Sequence, residues 1–368
     1  MIENIGSGLV YRNPRPNLRA VHAWHPSIVA LGGDELLASF DLGQAAESFD
    51  YRTYTSRSTD GGISWDQPVR LFEDDDTDSR PTTHTVRLSR TNDGTLVGFG
   101  ARFHRDDPDE GLINRKTNGW GPMDLILLKS HDGGHTWTGP TVIEPSLHCL
   151  AFEICHRVIE LTDGRWLAPV GIVKDWDGNI LEGLKGVAFV SSDQGANWST
   201  HTVLFEDSDD DVSYFEQGLT ELDGGRLLAV AWVYEESDGT TRKNAYAISE
   251  DGRTFASARS TDIHGQTLKI LHLGDNQVFC VYRRHDQPGL WANLVRIDGD
   301  RWETLHETLL WQGAGSGMAG AQSMGDELSA LKFGFPSMTR LSDGELLVVF
   351  WCHEADVNNI RWIRIRVG

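Results

Sequence analysis

Cysteine is scarce in this 368-residue chain, which holds only four. Cys149, Cys155, Cys280 and Cys352 stand far apart, without the close pairing that holds zinc. The pattern predicts free thiols in a reducing compartment rather than a disulfide framework. The first residues contain no apolar run, so no signal peptide is predicted. Together these features lead us to expect a cytoplasmic protein.

Basic residues and long apolar runs are also scarce. Lysine and arginine number 33 against 54 aspartate and glutamate residues, which leaves a net charge of −21. Nucleic acids and anionic membrane surfaces bind basic faces, so we expect neither as a partner. No apolar run approaches the roughly 18 residues that cross a bilayer, so no membrane span is expected.

The most prominent feature of the sequence is a repeated pattern of two short strands. Each copy is an alternating apolar run, a tight turn rich in Asp and Gly, and a second apolar run, as in an antiparallel hairpin. Six copies occur, at intervals of about 50 to 70 residues, over residues 25–40, 83–100, 152–171, 215–232, 265–282 and 334–351.

A shorter motif, Ser-x-Asp-x-Gly-x-x-Trp, follows four of these copies. Its aspartates are Asp60, Asp132, Asp193 and Asp251, and the fourth copy is one residue short and ends in Phe255. The Asp can accept hydrogen bonds from its own turn, Gly permits a positive φ, and Trp covers the turn. We therefore interpret these aspartates as structural rather than catalytic.

Six equal units predict an all-β fold, a six-bladed β-propeller in which the motif marks the turn between the third and fourth strands of a blade. The chain ends on an apolar run at 359–367 and begins with another at 8–12. Pairing these two runs would complete the last blade and remove an exposed sheet edge. We expect residues 1–368 to form a single domain, closed by the N-terminal strand.

A functional site is expected where the six inner strands begin, since these starts converge at one end of the axis. Titratable groups are dense at these starts and in the adjoining loops. The candidate catalytic residues are Glu216, Glu47, Asp50, His84, His25 and Glu153. The candidate substrate-binding residues are Trp24, Arg52, Arg102, His104, His156, Gln217, Gln266, Arg283 and Phe335.

The repeats and the short motif, known as the Asp-box, resemble those of the sialidase superfamily over nearly the whole chain. The resemblance implies a propeller that handles carbohydrate. It places Glu216 at the position of the glutamate that activates the tyrosine nucleophile, and it places Glu47 or Asp50 in the loop of the acid/base aspartate. The sialidase arginine triad and tyrosine nucleophile are not matched. Their positions hold Trp24, Trp232, Gln266 and Phe335.

Loss of the cationic clamp and the tyrosine together indicates a substrate other than sialic acid. The favoured hypothesis is a glycoside hydrolase acting on a small glycan, with Glu47 or Asp50 opposite Glu216 or Glu153. The alternatives are a propeller that binds carbohydrate or protein without catalysis, a polysaccharide lyase that uses histidine, and a sialidase with a rearranged site.

No cofactor and no metal at the site are predicted. Two acidic segments, 73–78 and 206–211, are candidates for Ca²⁺, although solvated loops are the simpler interpretation. The glycine-rich segment 312–325 could be a lid or an unstructured loop. The sequence leaves oligomerisation open.

Overall fold

The computed structural model describes residues 1–73, 82–284, 286–313 and 331–368, and for 82–84 the backbone alone. Six antiparallel sheets are arranged in a ring, which confirms the predicted six-bladed β-propeller. Most of the glycine-rich segment 312–325 and of the acidic segment 73–78 lies outside the described residues.

The strands follow the blades in order around the ring. Strand β1 (Ile2–Tyr11) precedes the first blade, which holds β2 (His22–Gly32), β3 (Glu35–Gly43), β4 (Arg52–Ser58) and β5 (Val69–Arg70). The second blade holds β6 (Thr82–Arg90), β7 (Leu96–His104), β8 (Met123–Ser130) and β9 (Thr138–Ile143). The third holds β10 (Phe152–Glu153), β11 (Ile159–Glu160), β12 (Trp166–Ile172), β13 (Lys185–Ser191) and β14 (Thr200–Glu206).

The remaining blades have four strands each. The fourth holds β15 (Val212–Glu221), β16 (Leu227–Glu235), β17 (Ala245–Ser249) and β18 (Arg259–Ser260), with a 3₁₀ turn at Asp223–Gly225. The fifth holds β19 (Gln266–Gly274), β20 (Gln277–Arg284), β21 (Gly289–Asp298) and β22 (Arg301–Trp311). The sixth holds β23 (Phe333–Arg340), β24 (Leu346–Glu354) and β25 (Val357–Val367), and it is completed by β1.

The second strand of each blade is the most apolar because neighbouring blades cover both of its faces. All nine residues of β16 are buried, for example. Outer strands such as β9 and β18 are mostly exposed. The cores lie between adjacent blades; Phe99 of the second blade shares one cluster with Trp166 and Phe189 of the third.

The ring closes by pairing the first strand with the last. Strand β1 runs antiparallel to β25, with Ile2 opposite Val367 and Leu9 opposite Arg361. This confirms the predicted closure and lengthens the N-terminal strand beyond the 8–12 expected from the sequence. Val10 and Ile2 are buried in two different core clusters, so β1 anchors both faces of the sixth blade.

The inner strand of the third blade departs from the predicted hairpin, because it is interrupted between β10 and β11. His156 lies in the interruption, and its Nδ1 is 2.9 Å from the carbonyl oxygen of Arg157. Its Nε2 lies 3.5 Å from the amide of Leu219 on β15. The imidazole therefore satisfies backbone groups that a regular ladder would otherwise pair.

Each Asp-box forms the turn between the third and fourth strands of its blade, as predicted. In the third blade, Asp193 Oδ1 accepts hydrogen bonds from the amide of Asn197 at 2.9 Å and from Ser191 Oγ at 2.8 Å. Trp198 Nε1 donates to the carbonyl oxygen of Gly195 at 3.2 Å. The hydrogen bonds from Asn197 and Ser191 lower the pKa of Asp193 to about 2.

Asp193→Asn is expected to lower Tm by about 1–3 °C at neutral pH, because the charged acceptor of the turn is lost. The lowered pKa of Asp193 means that its contribution is present above the pKa of the unfolded chain and is lost as pH falls towards 2. The difference between variant and wild type should therefore close over pH 4 to 2 in calorimetric scans. Asp177→Asn, at an exposed position, is the control. A gap that persists at pH 2 would contradict the assignment.

The structure also bears on two features expected from the composition. The four cysteines are free, as predicted, and Cys280 and Cys352 are buried. No helix among the described residues is long and apolar enough to cross a membrane.

Candidate functional site

Four inner strands carry the same irregularity near their starts. Strands β2, β15, β19 and β23 each have a register shift against the second strand of the blade, which marks a β-bulge. In every case a bulge residue other than glycine has a positive φ: His25 (47°), Glu216 (55°), Thr267 (55°) and Phe335 (53°). Backbone strain repeated at one level of the ring is typical of a functional site.

The carboxylates of Glu153 and Glu216 lie at this level and connect three successive blades. Glu153 Oε2 accepts a hydrogen bond from the amide of Glu216 at 2.8 Å, and its Oε1 accepts one from the thiol of Cys155. Glu216 Oε2 in turn accepts a hydrogen bond from the amide of Thr267. Burial raises the pKa of both carboxyl groups, although the nearby Lys269 ammonium lowers it in part.

His25 begins a hydrogen-bonded chain that runs into the first blade. Its Nδ1 is 2.5 Å from Tyr51 Oη, and Tyr51 donates to Asp41 Oδ2 at 3.0 Å. Asp41 is buried and also accepts a hydrogen bond from Thr53 Oγ1 at 2.5 Å. Since the tyrosine proton points to Asp41, the Nδ1 proton of His25 points to Tyr51.

This order leaves the lone pair of His25 on Nε2, which has no partner in the described part of the chain. Burial lowers the pKa of His25, although the hydrogen bond to Asp41 raises it in part, so the imidazole is neutral near pH 7. The side chain is 30% exposed. A neutral imidazole with an open Nε2 can act as a base.

Phe335 contacts both His25 and two cationic side chains. Its ring meets the His25 ring edge to face, with centroids 4.8 Å apart. The Arg87 guanidinium lies 4.3 Å from the Phe335 centroid, and Lys269 Nζ lies 5.3 Å from it. Arg87 also donates from Nη1 to the carbonyl oxygen of His25 at 2.6 Å. The guanidinium and the ammonium thus both lie within cation–π distance of the ring.

Two predicted substrate-binding residues, Arg283 and Gln266, bind each other within this site. Arg283 Nη2 donates to Gln266 Oε1 at 2.6 Å, and its Nη1 donates to the carbonyl oxygen of Phe333 at 3.1 Å. A Cβ at Gly334 would lie 2.2 Å from Arg283 Nη1, so glycine is required there to make room for the guanidinium. Gln217 is also buried and donates to the carbonyl oxygen of Tyr214.

Glu47 and Asp50 occupy an exposed loop between β3 and β4. Glu47 Oε2 accepts a hydrogen bond from the amide of Leu112 at 2.8 Å. Asp50 Oδ1 accepts one from the amide of Gln44 at 3.1 Å. Partial burial raises the pKa of Asp50, but hydrogen bonds lower it overall. Within the described residues, neither carboxylate hydrogen-bonds to Glu153 or Glu216.

The other predicted residues lie around these groups. Trp24 is buried and packs on Tyr51, with centroids 5.8 Å apart. Arg52 Nη1 donates to the carbonyl oxygens of Phe49 and Tyr51 at 2.6 and 2.8 Å. Arg102 and His104 both bind Asp124, at 2.9 and 2.8 Å. Burial lowers the pKa of His156 to about 3. The side chain of His84 lies outside the described residues; its Cα pairs with that of Arg102.

Sequence reasoning missed Asp41, Tyr51, Arg87 and Lys269. Lys269 is the one Lys, Arg, Asp or Glu residue of a largely apolar inner strand, and Arg87 stands between the apolar Val86 and Leu88. That signal was available. Asp41 and Tyr51 flank the loop that holds Glu47 and Asp50. Nothing in their local pattern indicates that they meet His25, because the contact forms only when the first blade is folded.

The acidic segments carry no sign of a metal site where they are described. Among the residues the structure describes, no group of three or more His, Cys, Asp or Glu side chains is arranged to hold a metal ion. In the segment 206–211, Asp210 Oδ1 accepts a hydrogen bond from the amide of Leu184 at 2.7 Å, and Asp211 Oδ2 accepts one from Ser237 Oγ at 2.8 Å.

Comparison with known proteins gives a family and a fold. A family model described as a BNR repeat-like domain matches residues 34–348. No curated protein matches the chain. A protein of unknown function from Dyadobacter fermentans is similar in structure, with a TM-score of 0.77, 19% identity, and coverage of 100% of this chain and 99% of that one.

Two structures of enzymes are also similar. The NanB sialidase of Streptococcus pneumoniae has a TM-score of 0.67 and 10% identity, covering 98% of this chain and 70% of that one. An α-L-arabinanase of Penicillium chrysogenum, complexed with arabinobiose, has a TM-score of 0.67 and 16% identity, covering 98% of each chain. At these identities the likeness concerns the fold alone.

Proposed function

Because this chain belongs to the BNR repeat-like family of sialidase-type propellers, we propose that it is a glycoside hydrolase that cleaves a small glycan other than a sialoside. One observation carries the proposal: the buried carboxyl group of Glu153 and the half-buried one of Glu216, both with raised pKa values, lie on adjacent blades at the level of the strand bulges. Glycoside hydrolysis needs a protonated carboxyl for the leaving oxygen and a second carboxylate as base or nucleophile.

The environment of the pair supports these roles. Burial keeps one carboxyl protonated at a higher pH than usual, which suits a general acid. The ammonium of Lys269 and the guanidinium of Arg283 favour the ionised form of Glu216. Opposed influences of this kind allow two adjacent carboxyls to take different protonation states at one pH.

The substrate class follows from what replaces the sialidase groups. Phe335 has no hydroxyl, so it cannot serve as a nucleophile in place of tyrosine. Trp24 and Gln266 are buried and held by neighbouring side chains, and neither supplies a charge for a carboxylate. At these two positions an uncharged sugar fits better than a sialoside. The arabinobiose bound by the similar arabinanase makes arabinosides the first substrates to test.

A substrate screen tests this function. We expect the wild type to release the aryl group from at least one neutral aryl glycoside, arabinosides included, and to leave sialyl substrates intact. Glu144→Gln, at an exposed position, is the matched control for Glu216→Gln. Sugar binding without turnover of any substrate would instead support a binding propeller, and hydrolysis of a sialyl substrate would support a rearranged sialidase.

The chain His25–Tyr51–Asp41 favours a second candidate, a lyase that acts on a uronic acid. Such an enzyme removes a proton from the carbon next to the carboxylate, and the open Nε2 of His25 is a suitable base. The same screen separates the two activities when unsaturated and saturated products are monitored. A lyase creates a double bond that absorbs in the ultraviolet, whereas a hydrolase consumes water and creates none.

A further inference from the structure

A small cavity lies on the propeller axis, lined by the bulge residue Phe335 and by residues that follow the other bulges. Its volume is about 30 Å³, and its lining comes from five blades, including Arg87, Arg157, Lys269, His156, Phe335 and Met338. These residues follow the first residues of their inner strands by two to five positions, and Lys269 lies two positions beyond the bulge residue Thr267. The cavity therefore extends from the level of the bulges deeper into the channel. It can hold one or two groups of the size of a water molecule but no sugar ring.

Three of the lining side chains are cations, and two of them have neither a hydrogen bond nor an ion pair in the described part of the chain. Lys269 is 6% exposed, and its Nζ makes no hydrogen bond there. The guanidinium of Arg157 forms neither a hydrogen bond nor an ion pair within the same residues, and desolvation lowers its pKa. Arg87 is buried and donates only from Nη1, to the carbonyl oxygen of His25. Lys269 is thus a buried charge without a counter-charge, which is expensive. Because Arg87 and the half-buried Arg157 line the same cavity, the site calls for a compensating anion.

Within the described residues, no carboxylate lies within ion-pair distance of these three cations. The Lys269 ammonium acts electrostatically on Glu153 and Glu216, but their carboxylates accept hydrogen bonds from Cys155 and from backbone amides instead. No ion pair joins either of them to Lys269, Arg157 or Arg87 among the described residues. His156 adds no charge, because burial lowers its pKa to about 3.

We propose that the cavity is a binding site for a small inorganic anion of the size of chloride, with Lys269 and Arg157 as its principal ligands and Arg87 beside them. The ion would offset the surplus of positive charge beneath the carboxylate pair. It would also cross-link the second, third and fifth blades at the axis, since one of these cations comes from each.

Bromide bound in the site can be located directly by its anomalous scattering. In crystals grown with bromide, we expect an anomalous peak in the cavity within hydrogen-bond distance of Lys269 Nζ. In solution, replacing gluconate by 100 mM chloride at constant ionic strength should raise the wild-type Tm by about 2–4 °C. Lys269→Met should remove this rise, and the exposed control Lys243→Met should keep it.

Several results would contradict the anion site. A cavity that contains only water in bromide crystals, or equal chloride responses in the wild type and Lys269→Met, would overturn the proposal. If Lys269→Met does not fold, the anomalous map of the wild-type crystals still shows whether bromide binds in the cavity. Displacement of bromide by glucuronate, with the sugar carboxylate in the cavity, would assign the cations to an acidic substrate and refute an inorganic ligand. None of these readouts depends on turnover, so they are independent of the hydrolase assignment.

Discussion

Glu216→Gln should lower kcat about 10³-fold on whichever glycoside the wild type cleaves. The glutamine side chain retains an oxygen that can accept the hydrogen bond from the backbone N–H of Thr267. The link between the fourth and fifth blades is therefore preserved. What the variant loses is the ability to give or take a proton. Steady-state kinetics and the Tm, measured together, separate this loss from a loss of folding.

The pH dependence of kcat/KM is a second test of the role of Glu216. Burial raises the pKa of Glu216, so its protonated form persists to a higher pH than that of an exposed glutamate, and the corresponding limb of the kcat/KM profile is displaced upwards. That limb should vanish in Glu216→Gln and remain in Glu144→Gln. An unchanged kcat in a variant with the wild-type Tm would remove Glu216 from the chemistry and leave His25 as the principal candidate.

The largest effect on stability is expected from deletion of residues 1–11. The deletion removes the buried side chains of Ile2 and Val10 and exposes the edge of β25 along its length. Each buried aliphatic side chain contributes about 1.5–3 kcal/mol, and the unpaired edge invites association. We expect Tm to fall by about 10 °C or more, with aggregates visible by size-exclusion chromatography.

A circular permutant is the matched control for the deletion. The amide of Gly368 donates to the carbonyl oxygen of Met1 at 2.9 Å, so the two ends of the chain are adjacent. A chain that begins at Asn13 and carries residues 1–12 after Gly368, joined by a short glycine-containing turn, restores every contact of β1. It should regain most of the lost Tm. A truncated protein with the same Tm as the wild type would show that closure of the ring contributes little to stability.

Much of the fold was predictable because its signals are local. An Asp-box turn is made by residues within seven positions of one another, as the bonds from Ser191 and Asn197 to Asp193 show. The pairing of β1 with β25 joins opposite ends of the chain. It could be predicted because the sequence has an apolar run at each end that belongs to no hairpin. The broken inner strand of the third blade was not predicted, since it depends on what the ring of His156 contacts in β15.

The candidate site was predictable only in part. The strand starts pointed to Glu153, Glu216, His25 and Phe335, which the structure brings to one level of the axis. The bulges were not predicted, and a bulge decides which side chain of a strand faces the axis. For the same reason the charges one layer deeper, such as Lys269, were overlooked.

The hydrogen bonds from Glu153 to the amide of Glu216, and from Glu216 to the amide of Thr267, constrain how this protein can change over evolution. Each carboxylate holds the backbone of the next blade in its strained conformation. Replacing either by a shorter or apolar side chain would loosen the junction between two blades as well as alter the chemistry. New specificities in this lineage should therefore arise in the surrounding loops, such as the one that holds Glu47, while the axial carboxylates stay.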